Sequence, residues 1–95
     1  MDKSKEKQRF IDVLGKPYLL EYKSNYECSE RMGATSIPEQ KIRVNKTTGI
    51  EQQGDTLLHE VIHIVDIELA LGLPEETVRR LAVGLYSAGC KCKTR

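Results

Sequence analysis

The hydrophobic and polar positions along the chain change period near its middle. Phe10-Ile-Asp-Val-Leu14 and Tyr18-Leu-Leu-Glu-Tyr22 are short runs of aromatic and branched residues, a content that favours strands. Gly15, Lys16 and Pro17 punctuate them, so the two runs form a hairpin or one bent strand. Ser24 to Arg31 is polar and reads as a loop that contains Cys28. Met32 to Ile37 and Lys41 to Asn45 flank Pro38-Glu39-Gln40, which suggests a hairpin turn. In the second segment Ile42 and Val44 alternate with Lys41, Arg43 and Asn45, as in a half-buried strand.

From Thr48 onward the pattern becomes helical. Thr48 and Glu51 have the spacing of a capping box, and a helix is expected from Gly49 to Leu71. Gly54 inside it costs roughly 1 kcal/mol relative to Ala, and Asp55 is an alternative N-cap. Gly72 is placed to end this helix. Pro74 suits the first position of a second helix, expected to run to Ala88 and close at Gly89. The fold class is therefore α+β: a small twisted antiparallel or mixed sheet from residues 10 to 45, packed on two helices.

Length sets the scale. The 95 residues fit a single domain with one modest core. The ends, residues 1–9 and 90–95, are rich in charge and read as loose tails. Lys and Arg number 15 against 14 acids, a balance that argues against a nucleic-acid or membrane surface as partner. No apolar run is long enough to span a bilayer, and the charged start lacks the apolar stretch of a signal peptide. Cys28, Cys90 and Cys92 are then reduced thiols of a cytoplasmic protein.

The first helix carries an anomaly. Leu57, Leu58, Val61, Ile62, Ile64, Val65, Ile67, Leu69 and Leu71 cover most of its circumference, so it should be buried nearly all round. Yet His59, His63 and Asp66 fall within about 60° of one another. A polar stripe on a buried helix needs partners, because each unpaired group costs on the order of 1–3 kcal/mol. Metal ligation supplies them. His59 and His63 lie one turn apart and can reach a single Zn²⁺, with Glu60 beside the metal as general base: the HExxH arrangement.

A catalytic zinc needs a third protein ligand. Glu68 lies on the far side of the first helix. Asp66 shares the His face but is short, and is better suited to orienting an imidazole from outside the coordination sphere. On the second helix Val78, Leu81, Ala82 and Leu85 make an inward face. Glu75 lies roughly 60° from Val78 and Glu76 about 160° away, so Glu75 is favoured, with Glu76 and Asp66 as alternatives. A helix continued to Leu71 would end roughly 12 Å beyond His63. Glu75 must therefore reach back, or the first helix must end early. Cys90 and Cys92 are the candidates for closing a purely structural zinc site instead.

Two His from one helix and a Glu from the next is the arrangement of the Glu-zincin metallopeptidases. The stretch from Met32 to Tyr86 resembles, more specifically, the small and often phage-borne ImmA/IrrE-like zincin family. The matching text is Met32-Gly33, Gln40-Lys-Ile-Arg-Val-Asn45, Thr56-Leu-Leu-His-Glu-Val-Ile-His63 and Leu73-Pro-Glu-Glu-Thr-Val-Arg-Arg-Leu-Ala-Val-Gly-Leu-Tyr86. The chain departs from better-known members at Arg79, where they often carry a small polar residue. The resemblance implies a minimal zincin-like domain, with His59, His63 and Glu75 as zinc ligands and Glu60 as base. It also implies that Gly33, Ala34 and Thr35 border the cleft as a substrate-binding edge for a protein or peptide. Arg79 and Tyr86 are the candidates for an oxyanion donor. So small a chain has little recognition surface, which points to a partner protein that supplies specificity. The rival reading is a regulator that keeps the zinc shell and acts by binding.

Overall fold

The computed structural model describes residues 8–28 and 31–95. Strands β1 (Arg9–Val13) and β2 (Lys16–Lys23) form an antiparallel hairpin. Its two-residue turn is Leu14-Gly15, both at positive φ (52° and 82°), the backbone twist that tight hairpins require. β3 (Gly33–Ser36) and β4 (Lys41–Asn45) form a second antiparallel pair. β4 then lies parallel to β2, so the mixed sheet has the order β1-β2-β4-β3. The class is α+β, with α1 (Ile50–Glu68) and α2 (Glu75–Ser87) following the sheet.

Period-two alternation decides which side of the sheet is covered. Ile11, Val13, Tyr18, Leu20, Ile42 and Val44 are buried and meet Leu57 and Ile64 of α1. α2 packs on α1 and makes no contact with the strands. That layering corrects two expectations. α1 is not buried all round: Ile50 and Ile67 are more than half exposed, as are Leu69 and Leu71 just beyond its end. On α2 only Val78 and Ala82 are buried, whereas Leu81 and Leu85 are exposed. One sheet and one neighbouring helix cannot enclose a whole helical cylinder in so short a chain.

Helix boundaries differ from expectation at three ends. Thr48 and Glu51 form no capping box, because the N-cap is Gly49, without a side-chain bond. The Thr48 hydroxyl instead donates to the Asn45 carbonyl at 2.9 Å. α1 stops at Glu68 rather than Leu71, and Ala70, not Gly72, takes the first left-handed position (φ 53°). Ala70 N–H donates to the Ile67 carbonyl and Leu71 N–H to the Asp66 carbonyl, the paired bonds of a Schellman ending. Pro74 is the N-cap of α2 rather than its first helical residue. Gly89 (φ 94°) closes α2 as the sequence suggests.

Gly54 is explained by α2. A Cβ there would lie 2.5–2.8 Å from the outer end of the Tyr86 ring. The glycine lets the ring rest directly on α1.

Residues 90–95 are not a loose tail. Phe10 N–H donates to the Arg95 carbonyl and Arg95 N–H to the Phe10 carbonyl, both at 2.8 Å, and Thr94 bridges Ile11. The Arg95 guanidinium grips the Asp12 carboxylate at 2.9 and 3.0 Å and lies over the Phe10 ring. Cys92 is half-buried against the core. The segment thus covers the outer edge of β1. Of the other expected tail, residues 1–7 lie outside the described residues, and Arg9 already belongs to β1. Among the described residues no helix is long and apolar enough to cross a membrane.

Candidate metal centre

The HExxH segment lies in the middle of α1, where the helix crosses between β3 and the start of α2. An i to i+4 spacing stacks the His59 and His63 rings on one face. Their centroids are 4.7 Å apart in an edge-on arrangement, with Nε2 atoms 3.1 Å from one another. α1's early end lets α2 fold back, so Glu75 at its first turn arrives opposite both rings. Glu75 Oε2 lies 3.0 Å from His59 Nε2, and Oε1 lies 2.9 Å from His63 Nε2.

Hydrogen bonds alone do not satisfy this triangle. Two Nε2–H donors could each serve one oxygen of Glu75. The 3.1 Å Nε2···Nε2 approach would then set two like donors against one another with no acceptor between them. A cation that receives a lone pair from each atom removes the conflict. Zinc bonds of about 2.0–2.1 Å give a tetrahedron with edges of about 3.3 Å, close to the spacings seen here. Among the described residues, His59, His63 and Glu75 are the group able to hold a metal. Neither Cys90 nor Cys92 belongs to it.

Glu60 occupies the adjoining position and is 92% shielded from solvent, with relative exposure of 8%. A buried carboxylate needs donors, and the Thr35 hydroxyl supplies one to Oε1 at 2.7 Å. Thr35 reaches it because β3 comes unusually close to α1. A Cβ on Gly33 would stand 2.5 Å from Thr56 Cγ2, 2.9 Å from the Arg43 carbonyl oxygen and 3.6 Å from Glu60 Cγ. Gly33 and Thr35 share a face of the strand, so the glycine seats the strand and the threonine meets the acid.

These side chains line one cleft of about 750 Å³ with Gly33, Ala34 and Thr35 along its wall. β3 is the last strand of the sheet, and its outer backbone edge is unpaired among the described residues. Loop residues Arg31 and Met32 border one end. The loop is fixed by Asn45, which is buried and donates to Asn25 Oδ1 at 2.7 Å and to the Arg31 carbonyl at 2.9 Å. Cys28, expected in a polar loop, is buried within it.

Asp66 has a different partner from the imidazole expected of it. Its Oδ1 accepts from Leu73 N–H at 3.0 Å and so ties the α1–α2 connection. Glu76 is not among the cleft residues; Arg79 and Arg80 bind its carboxylate. The Arg79 contact holds its carboxyl below the usual carboxylate range. Arg79 lines the cleft, whereas the Tyr86 ring rests on Gly54. Two cleft features carried no clear sequence signal. One is the Thr35 hydroxyl bond, hinted at only by strand alternation with Gly33. The other is Asp55, whose Oδ1 is buried without a hydrogen-bond partner.

No protein-family model matches the chain, and neither a curated protein nor a solved structure matches it significantly.

Proposed function

We propose that the chain is a zinc-dependent peptidase of the ImmA/IrrE-like zincin type. The observation that carries this reading is the convergence of His59, His63 and Glu75 beside a buried glutamate that is not one of the three. A site that only braced the fold would have no use for Glu60.

His59, His63 and Glu75 would hold the zinc, which would supply a Lewis acid for a scissile carbonyl and lower the pKa of a water towards about 7. Glu60 accepts the proton from that water on its carboxylate and returns it to the leaving amine. Thr35 keeps Oε1 of Glu60 engaged, which leaves Oε2 to face the reaction. An extended peptide pairs its backbone with the free edge of β3 and crosses the cleft beside the histidines, a form of strand addition. The wall there is Gly33, Ala34 and Thr35, side chains too small to select a sequence strongly. Selection accordingly comes from a second protein that presents the substrate. The free thiols of Cys28, Cys90 and Cys92 suit a reducing, cytoplasmic setting.

The test is cleavage of unfolded casein by the zinc-loaded chain. Wild type cleaves, an excess of chelator stops it, and added zinc restores it. Glu60→Gln retains its zinc and is inactive. Wild-type turnover by Glu60→Gln would refute the mechanism.

A further inference from the structure

The Glu60 carboxylate has one oxygen engaged and one free. Oε1 takes the Thr35 hydroxyl at 2.7 Å, and Oε2 has no hydrogen-bond partner among the described residues. Such a short bond to a charged acceptor is directional, so it restricts rotation of the carboxylate about its last torsion. The donor sits on β3, which is packed so tightly on α1 that only glycine fits at position 33. Thr35 thus cannot follow a wandering glutamate. The outer edge of the same short strand is unpaired among the described residues. One four-residue strand therefore presents a side chain to the base and a backbone edge to the cleft.

We propose that Thr35 is the positioning residue for Glu60: its hydroxyl fixes the carboxylate from the strand against which a substrate backbone is registered. This rests on the peptidase reading above. Residues of β3 are two things at once on this account. The backbone sets where the peptide lies, and Thr35 sets where the proton acceptor lies. Because both belong to one rigid segment, a peptide seated along β3 meets the base in fixed register without any contact to Glu60 itself. Val at position 35 keeps the shape and loses the donor, whereas Ser keeps the donor and loses a methyl group.

The test compares Thr35→Val, Thr35→Ser and Glu60→Gln in cobalt-loaded chain, with acetohydroxamate as the probe. Acetohydroxamate gives up a proton when it chelates a metal, so a carboxylate held beside that metal to take the proton strengthens its binding. Its dissociation constant is read from the visible bands of the bound cobalt, with no turnover involved. Expected are a loss of affinity of about tenfold or more in Glu60→Gln and about tenfold in Thr35→Val, as for loss of a supporting hydrogen bond around a metal site. Thr35→Ser stays within about twofold of wild type. Cobalt affinity is unchanged in all three. On casein, Thr35→Val then loses kcat with KM retained. Wild-type affinity in Thr35→Val, with Glu60→Gln weakened, would overturn the role of Thr35 and leave the peptidase reading standing. Equal losses in the Val and Ser variants would overturn it too, because packing and not the hydroxyl would be responsible. Wild-type affinity in Glu60→Gln would show that no base stands beside the metal, and a chain that takes up no cobalt would show that there is no metal centre. Either outcome removes the peptidase reading and this role together.

Discussion

The Glu75 carboxylate stands 2.9 Å from the His63 imidazole, although α1 and α2 would hold them apart if the first helix ran on to Leu71. The reversal lies at Ala70 and Gly72, both in the left-handed conformation, with Asp66 holding Leu73 N–H. For alanine that conformation costs about 1–2 kcal/mol. Its use here gives the turn a role in forming the site. Glu75→Ala should reduce zinc affinity by more than about 100-fold, beyond the loss typical of outer-sphere partners. Glu76→Ala should leave it unchanged, because that side chain is occupied by Arg79 and Arg80. Asp66→Ala should fall between them, by loosening the connection. Zinc titration against a competing chelator ranks the three.

Zinc should contribute to stability as well as to chemistry. A ligand held at 100 times its dissociation constant adds about 2.7 kcal/mol to a fold that alone binds it. In a domain this small that shifts the melting temperature by about 10–20 °C. Chelator should lower the wild-type melting temperature and leave His59→Ala or His63→Ala unaffected. A thermal scan with and without zinc checks both.

Gly33→Ala should destabilise the chain by about 1–3 kcal/mol, the usual range for overpacking. The new methyl meets a backbone carbonyl, that of Arg43, as well as Thr56, so no single side chain can swing aside. β3 must lift from α1, and the Thr35–Glu60 bond goes with it. Urea denaturation measures the first effect. A drop in casein cleavage at temperatures where the variant is fully folded measures the second.

The Arg95 side chain donates to Asp12 and lowers its carboxyl pKa. A folded-state value below the unfolded one adds stability above the ordinary carboxylate range, and that stability is lost as pH falls through the lowered value. Arg95→Ala should therefore melt below wild type at neutral pH, with the two curves converging as pH falls below the ordinary carboxylate range. Both groups are solvent-exposed, so the gap should also narrow at high salt. Paired melts across pH and salt test this.

The α+β class and the grouping of His59, His63 and Glu75 were more legible in the sequence than the helix ends and loop contacts around them. The spacing of His59, Glu60 and His63 fixes their common placement by helical geometry alone, and the apolar face of α2 singles out Glu75. What the sequence misjudged depends on competition between neighbours. Gly72 advertises a helix end, but a left-handed Ala70 ends it sooner, and no local rule favours alanine there. Thr48 has the chemistry of a cap, but its hydroxyl finds the Asn45 carbonyl first. Asp66 shares the histidine face, yet a backbone N–H from the returning chain claims it. Lys91 to Arg95 looks like a solvated tail because its partner, the edge of β1, exists only once the sheet has formed.

That covered edge has a consequence for how the molecule can be joined by another chain. An open sheet has two borders where foreign strands can add, and natural proteins commonly blunt them. Here the C-terminal residues sit along one border, with main-chain bonds between Phe10 and Arg95. The border left open among the described strands is β3, beside the histidines. Any strand added at that open border would lie on the side of His59 and His63, while at the opposite border Phe10 and Ile11 are already paired with Arg95 and Thr94.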